Sequence, residues 1–151
     1  MNKLIKPIFC LATTFFLMAG GSLGDDGVKD AKPTLTHADA AVILAKYSGF
    51  FDRYVGEDAE LSECVAFLNK TGIYFGLLEV VNGSEFTAKD AARSLGQIEL
   101  VLTGEAEFSG GKVERPKGVD SWEEFCTMNR VEYAGAHRAM VDLLRMAYKN
   151  G

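Results

Sequence analysis

The sequence predicts an all-α fold, a small bundle of about five helices built on a duplicated capped-helix repeat. Three observations predict it. Leu35-Thr36-His37-Ala38-Asp39-Ala40-Ala41-Val42-Ile43-Leu44 returns 51 residues later as Phe86-Thr87-Ala88-Lys89-Asp90-Ala91-Ala92-Arg93-Ser94-Leu95. Helix-start boxes, a Thr or Ser followed three residues on by an acid, occur at Thr36, Thr87 and Ser121. Apolar residues then recur at helical spacing after each box, and no strand-rich region competes.

The chain opens on a different kind of segment. Lys3 and Lys6 precede an apolar run over residues 8–19, followed by the small residues Ala19, Gly20, Gly21 and Ser22. This reads as a secretory signal peptide over residues 1–24, with cleavage after Gly21 or Gly24. The run is too short to span a bilayer. Cys10 follows the bulky Phe9 inside the run, so a lipoprotein signal is not expected. Residues 25–34 are polar and form a flexible lead into a single domain over 35–151.

The first helix is expected to start from Thr36, with Asp39 completing the cap. Ala40, Ile43, Leu44, Tyr47, Phe50, Phe51 and Tyr54 form its stripe, and Gly49 offers a bend or a stop. A second helix is expected over about 58–71, burying Leu61, Cys64, Val65 and Leu68, with Gly72-Ile73 as its stop. Residues 74–85 read as a connection with an Asn82-Gly83 turn. The third helix starts from Thr87, buries Ala91, Leu95, Ile98 and Leu102, and ends at Gly104. Residues 105–119 read as a loop, with a short hairpin around Gly110-Gly111 as the alternative. A C-terminal pair follows: one helix from Ser121 with Trp122, Phe125 and Cys126 inward, and one over about 132–149.

The charge balance narrows the partners. Sixteen basic and 21 acidic side chains give a net charge of −5, and loss of the two leader lysines takes it to −7. An acidic chain is repelled by phosphate backbones and by anionic membrane surfaces, which disfavours both partners. No membrane span is expected after cleavage. Cys64 and Cys126 remain, and an even count in an oxidising compartment points to one disulfide between them. The alternative is two buried free thiols, since both lie on apolar helix faces.

Between the two Thr-x-x-Asp boxes lies a helix closing on Gly72-Ile73-Tyr74-Phe75-Gly76. A helix ending in Gly-Ile-x-x-Gly followed by one opening on a Thr-x-x-acid box resembles the S-layer homology (SLH) repeat, over about residues 35–104. The family's motif Arg is His37 in one copy and Ala88 in the other. The resemblance implies a helical repeat fold outside the cytoplasm and attachment to anionic wall polysaccharide. Residues 86–90 also resemble the exit of an EF-hand loop. Counting back, two oxygen-bearing ligand positions are missing and Asp90 replaces the bidentate Glu, so calcium is not expected.

Catalytic chemistry finds no foothold in the sequence. His37 reads as a solvated residue beside its capping Thr, and His137 as a border of the core. Glu105 and Glu107 flank a loop without a partner for acid–base work. No metal spacing, nucleophile elbow or phosphate loop is present, and no cofactor is expected. The reading is therefore a non-catalytic, exported cell-envelope protein, periplasmic or on the cell surface, that binds wall glycan or an envelope protein. Its expected ligand groove lies near the starts of the two repeat helices, with Thr36, His37, Thr87, Lys89, Tyr74 and Phe75 as candidate ligand-binding residues. The alternatives are homo-oligomer assembly through Phe50, Phe51 and Tyr54, and a small wall-acting hydrolase.

Overall fold

Each of the three Thr or Ser boxes starts a helix where the sequence places it. The computed structural model describes residues 33–150. The expected leader lies outside the described residues, as does the lead apart from Pro33 and Thr34.

The first helix, α1 (His37–Val42), is capped by Thr36, whose hydroxyl accepts from the Asp39 amide while the Asp39 carboxylate accepts from the Thr36 amide. A π-helical turn, Ile43–Tyr47, continues it. There the helix stops: Ser48 Oγ donates back to Leu44 O, and Gly49 takes a positive φ of 85°. The expected stripe to Tyr54 is thus split, yet Phe51 and Val55 are still buried from the irregular segment that follows. Next comes α2 (Leu61–Thr71), starting three residues later than expected because Glu60 and Glu63 form a box of their own. Gly72 ends it in the left-handed conformation, and Ile73 N–H returns to Leu68 O.

The connection contains a one-turn helix, α3 (Leu77–Val81). From Thr87 runs α4 (Ala88–Thr103), closed by Gly104. The segment read as a loop does contain the hairpin: β1 (Phe108–Ser109) pairs antiparallel with β2 (Lys112–Val113), with Gly110 and Gly111 both at positive φ. The chain ends in α5 (Trp122–Met128) and α6 (Tyr133–Asn150). The fold is all-α, with this two-residue hairpin as its β element among the described residues.

Helix α4 organises the packing because it is buried on more than one side. Ala91, Leu95 and Ile98 join the larger core, with residues of α1, α2 and α6. Ala92 and Leu100 join a smaller core with Val113, Phe125 and Cys126. At Gly96 the backbone carries Trp122 of α5: a Cβ there would lie 2.5 Å from the indole Cε3.

The two repeat copies meet at their entries. Phe86 N–H donates to Leu35 O (2.7 Å) and His37 N–H to Ser84 O (3.0 Å), so Thr36 faces Glu85 across an antiparallel bridge. Leu35 and Phe86, equivalent in the repeat, are both buried beside it.

One expectation is overturned here. Cys64 and Cys126 are free thiols, not a disulfide. Cys64 sits in the larger core and Cys126 in the smaller one, where its Sγ donates to Ala92 O. Burial pushes both thiols up, Cys126 to about 11, which leaves them poorly reactive. An even cysteine count does not say which core each helix face enters.

Candidate functional site: a cationic cleft beside the second repeat

The expected groove at the repeat-helix starts is filled by the protein itself. In both copies a threonine hydroxyl and an aspartate carboxylate take the cap amides: Thr36 with Asp39, and Thr87 with Asp90. The position an anionic ligand would use already holds a side-chain carboxylate. His37 is not solvated but 3% exposed, packed edge-on against Phe86 and Phe75. Its Nδ1 lies 3.0 Å from Ser84 O; a carbonyl only accepts, so Nδ1 carries the proton. Its Nε2 is buried without a hydrogen-bond partner, 3.8 Å from Asp90 Oδ1. The first position of an isolated helix is exposed, whereas here Phe86 and the Ser84 carbonyl cover His37.

Phe75 is buried in the core, stacked parallel on Phe86 at 5.9 Å. Lys89 is exposed on the first turn of α4. Of the six expected binding residues, Tyr74 alone lines a cleft described below. Glu105 and Glu107 come together with Glu114 around another cleft, beside Lys117, all of them exposed.

Tyr74 opens a cleft of about 330 Å³ walled by α4, the hairpin and the start of α5. Its construction follows from the elements. Gly72 ends α2 and accepts from Val113 N–H (2.9 Å), which docks the hairpin beside the Tyr74 backbone. Gln97, buried on α4, bridges the two: its Oε1 accepts from Tyr74 N–H (3.1 Å), and its Nε2 donates to Val113 O (3.0 Å). Strand alternation then turns Val113 inward and leaves Lys112 and Glu114 at the surface.

Three cations converge on this frame. Lys112 Nζ lies 4.9 Å and Arg93 Cζ 5.8 Å from the centre of the Tyr74 ring. Arg93 also reaches Asp90 Oδ1 and Tyr74 O, both at 3.5 Å, while its Nε is buried without a partner. Arg115 completes the set, held by its Nε donating to Val119 O (2.8 Å). Glu114 is the one carboxylate of the lining, which also includes the half-buried Trp122.

Sequence reasoning missed Arg93, Gln97, Lys112, Arg115 and Trp122. One signal was available: Arg93 stands where the first copy has Val42, a charge in place of an apolar residue. The hairpin residues carried no such signal, because their convergence depends on where Gly72 docks the turn.

Comparison with protein-family models, with curated proteins and with solved structures finds no match to this chain.

Proposed function

We propose that this chain is an exported, non-catalytic binding protein of the cell envelope, and that the Tyr74 cleft is where it holds its ligand. The carrying observation is local charge inversion. On a chain of net charge −5, Arg93, Lys112 and Arg115 face one cleft that contains a single carboxylate. Cations gathered with aromatic rings against the sign of the whole protein favour recognition of an anionic envelope component. The leader-like first 24 residues and the likeness to SLH repeats support placing that component outside the cytoplasm.

Cell fractionation tests the reading. Cells producing the full chain with a C-terminal tag are expected to yield a product shortened by about 2.6 kDa at its N-terminus, since 24 residues at about 110 Da are lost. That product should sediment with isolated envelope material, and Lys112→Glu/Arg115→Glu should release it. An uncleaved product confined to the cytosol defeats the proposal.

A second reading has one observation behind it. Tyr54 is 75% exposed although its ring stacks on Phe67, and Phe50 beside it is also exposed. An apolar edge of this kind suits contact between copies. Sedimentation equilibrium of the wild type against Tyr54→Ser checks it: a wild type that stays monomeric at high concentration removes the reading.

A further inference from the structure

The geometry points to a specific ligand chemistry for the Tyr74 cleft: a small molecule of single-ring size carrying one oxyanion, a carboxylate or a phosphate, held by Arg93, Lys112 and Arg115. This deepens the binding reading above and rests on it.

Four features of the cleft carry the inference. The first is unspent donor capacity. Among the described residues no carboxylate lies within ion-pair distance of Lys112 or Arg115, and the buried Nε of Arg93 has no acceptor. Lys112 and Arg115 are both exposed, so an oxyanion entering the cleft can take their charged donors. The second is preorganisation. Gln97 is bonded at both ends, to Tyr74 N–H and Val113 O, so the two rims of the cleft keep a fixed separation. Arg115 is tethered through Nε to Val119 O, which leaves its terminal nitrogens to present a fork. Little ordering cost then remains for the binding step.

The third feature is size. At about 330 Å³ the cleft lies at the small end of ligand sites, enough for one ring with its acid group. The fourth is the sign of the surroundings. A net charge of −5 repels an extended polyanion, whereas the attraction of a three-cation cluster is felt within about 8 Å at physiological salt. One oxyanion-bearing ring, free or displayed on an envelope component, fits that field, and a polyanion running along the surface does not. Trp122 and Tyr74 supply ring surface in the lining, and Glu114 supplies an acceptor for hydroxyl groups.

Trp122 is the chain's single tryptophan, so its fluorescence reports the cleft directly. The tagged protein recovered from cells is titrated with sodium glucuronate, glucose 6-phosphate and glucose at low ionic strength. A saturable change in Trp122 emission with one or both acids, and none with glucose, is expected. Whichever acid saturates identifies the source of the oxyanion. Lys112→Ala and Arg115→Ala should each weaken binding about tenfold without moving the melting temperature. Arg115→Lys should recover part of the loss, because it keeps the charge and forfeits the fork. No saturable response to either acid overturns the inference, as does an equal response to glucose or an unchanged affinity in both alanine variants. Envelope sedimentation that persists alongside such a negative result would leave the envelope reading standing and remove only this ligand.

Discussion

The two copies of the Thr-x-x-Asp turn share their local geometry and differ in almost everything around it. In both, threonine and aspartate exchange the same pair of cap hydrogen bonds. In the first copy the turn is packed inside: His37 and Asp39 are buried, and the helix loosens into a π turn within two turns of its start. In the second, Thr87 is exposed, Asp90 is shared with Arg93, and the helix runs unbroken for 16 residues. Sequence grammar sets the cap, while tertiary placement decides what the cap's charges do. In the first copy His37 bonds to Ser84 O, in the turn that leads into the second. The second is left with a face for building the cleft.

The largest test of this contrast is the junction between the copies. Phe86 is fully buried, stacked on Phe75, and its carbonyl lies 2.9 Å from His137 Nε2. Phe86→Ala is expected to cost about 3–5 kcal/mol in urea denaturation, through lost burial and the cavity left behind. The corresponding Leu35→Ala removes fewer atoms and no ring contact, and should cost less. Equal costs would mean that the junction is symmetric in energy as well as in hydrogen bonding.

Next in size is a pair of small residues at equivalent positions, Ala45 and Gly96. Glycine in a helix ordinarily loses about 1 kcal/mol to alanine. At Gly96 the sign should reverse, because the added Cβ would lie 2.5 Å from Trp122 Cε3. Gly96→Ala is expected to destabilise by about 1–3 kcal/mol and to shift Trp122 emission as α5 is pushed outward. A stabilised Gly96→Ala would show that the indole can move aside without loss.

The caps themselves come third. Thr87→Ala removes an exposed cap and is expected to cost about 1 kcal/mol. Thr36→Ala leaves the buried Asp39 carboxylate without its hydroxyl donor, so the loss should approach about 2 kcal/mol. Matching melting temperatures for the two variants would break the contrast between inner and outer copies.

These same pairs explain what was legible beforehand. Caps, stops and the all-α class were readable because Thr36, Thr87, Ser121, Gly72 and Gly104 act on residues within a few positions of themselves. Burial of His37 was not readable, since it is created by Ser84 and Phe86, 47 and 49 positions further along. The cleft was least readable of all. Tyr74 was singled out for its ring beside a helix end, but its partners Lys112 and Arg115 arrive only because the Gly72 carbonyl receives Val113. The thiols failed for the same reason, as helix faces were readable and the division of the core into two clusters was not.

The smallest expected effect is also the sharpest, because the two aspartates respond to pH through different causes. Burial is the main influence on Asp39 and raises its carboxyl above the ordinary 3.8, with the Thr36 hydrogen bonds opposing that shift. A carboxyl raised in the folded state is favoured by folding in its protonated form. Its contribution to stability is fully present below 3.8 and is lost as pH rises through the raised folded value. Asn keeps an acceptor for the Thr36 amide and never ionises. Asp39→Asn should therefore gain on the wild type as pH rises through that window, with a constant difference on either side. Asp90→Asn gives up a partly exposed ion pair with Arg93 at 3.5 Å, a loss of about 0–1 kcal/mol that should fade with added salt. Urea midpoints for the three proteins across pH 3–7, at two ionic strengths, separate a desolvation effect from a screened one. If Asp39→Asn instead lost ground as pH rose, the inner carboxylate would be stabilising as an ion, and the division between a buried and an exposed copy would not hold.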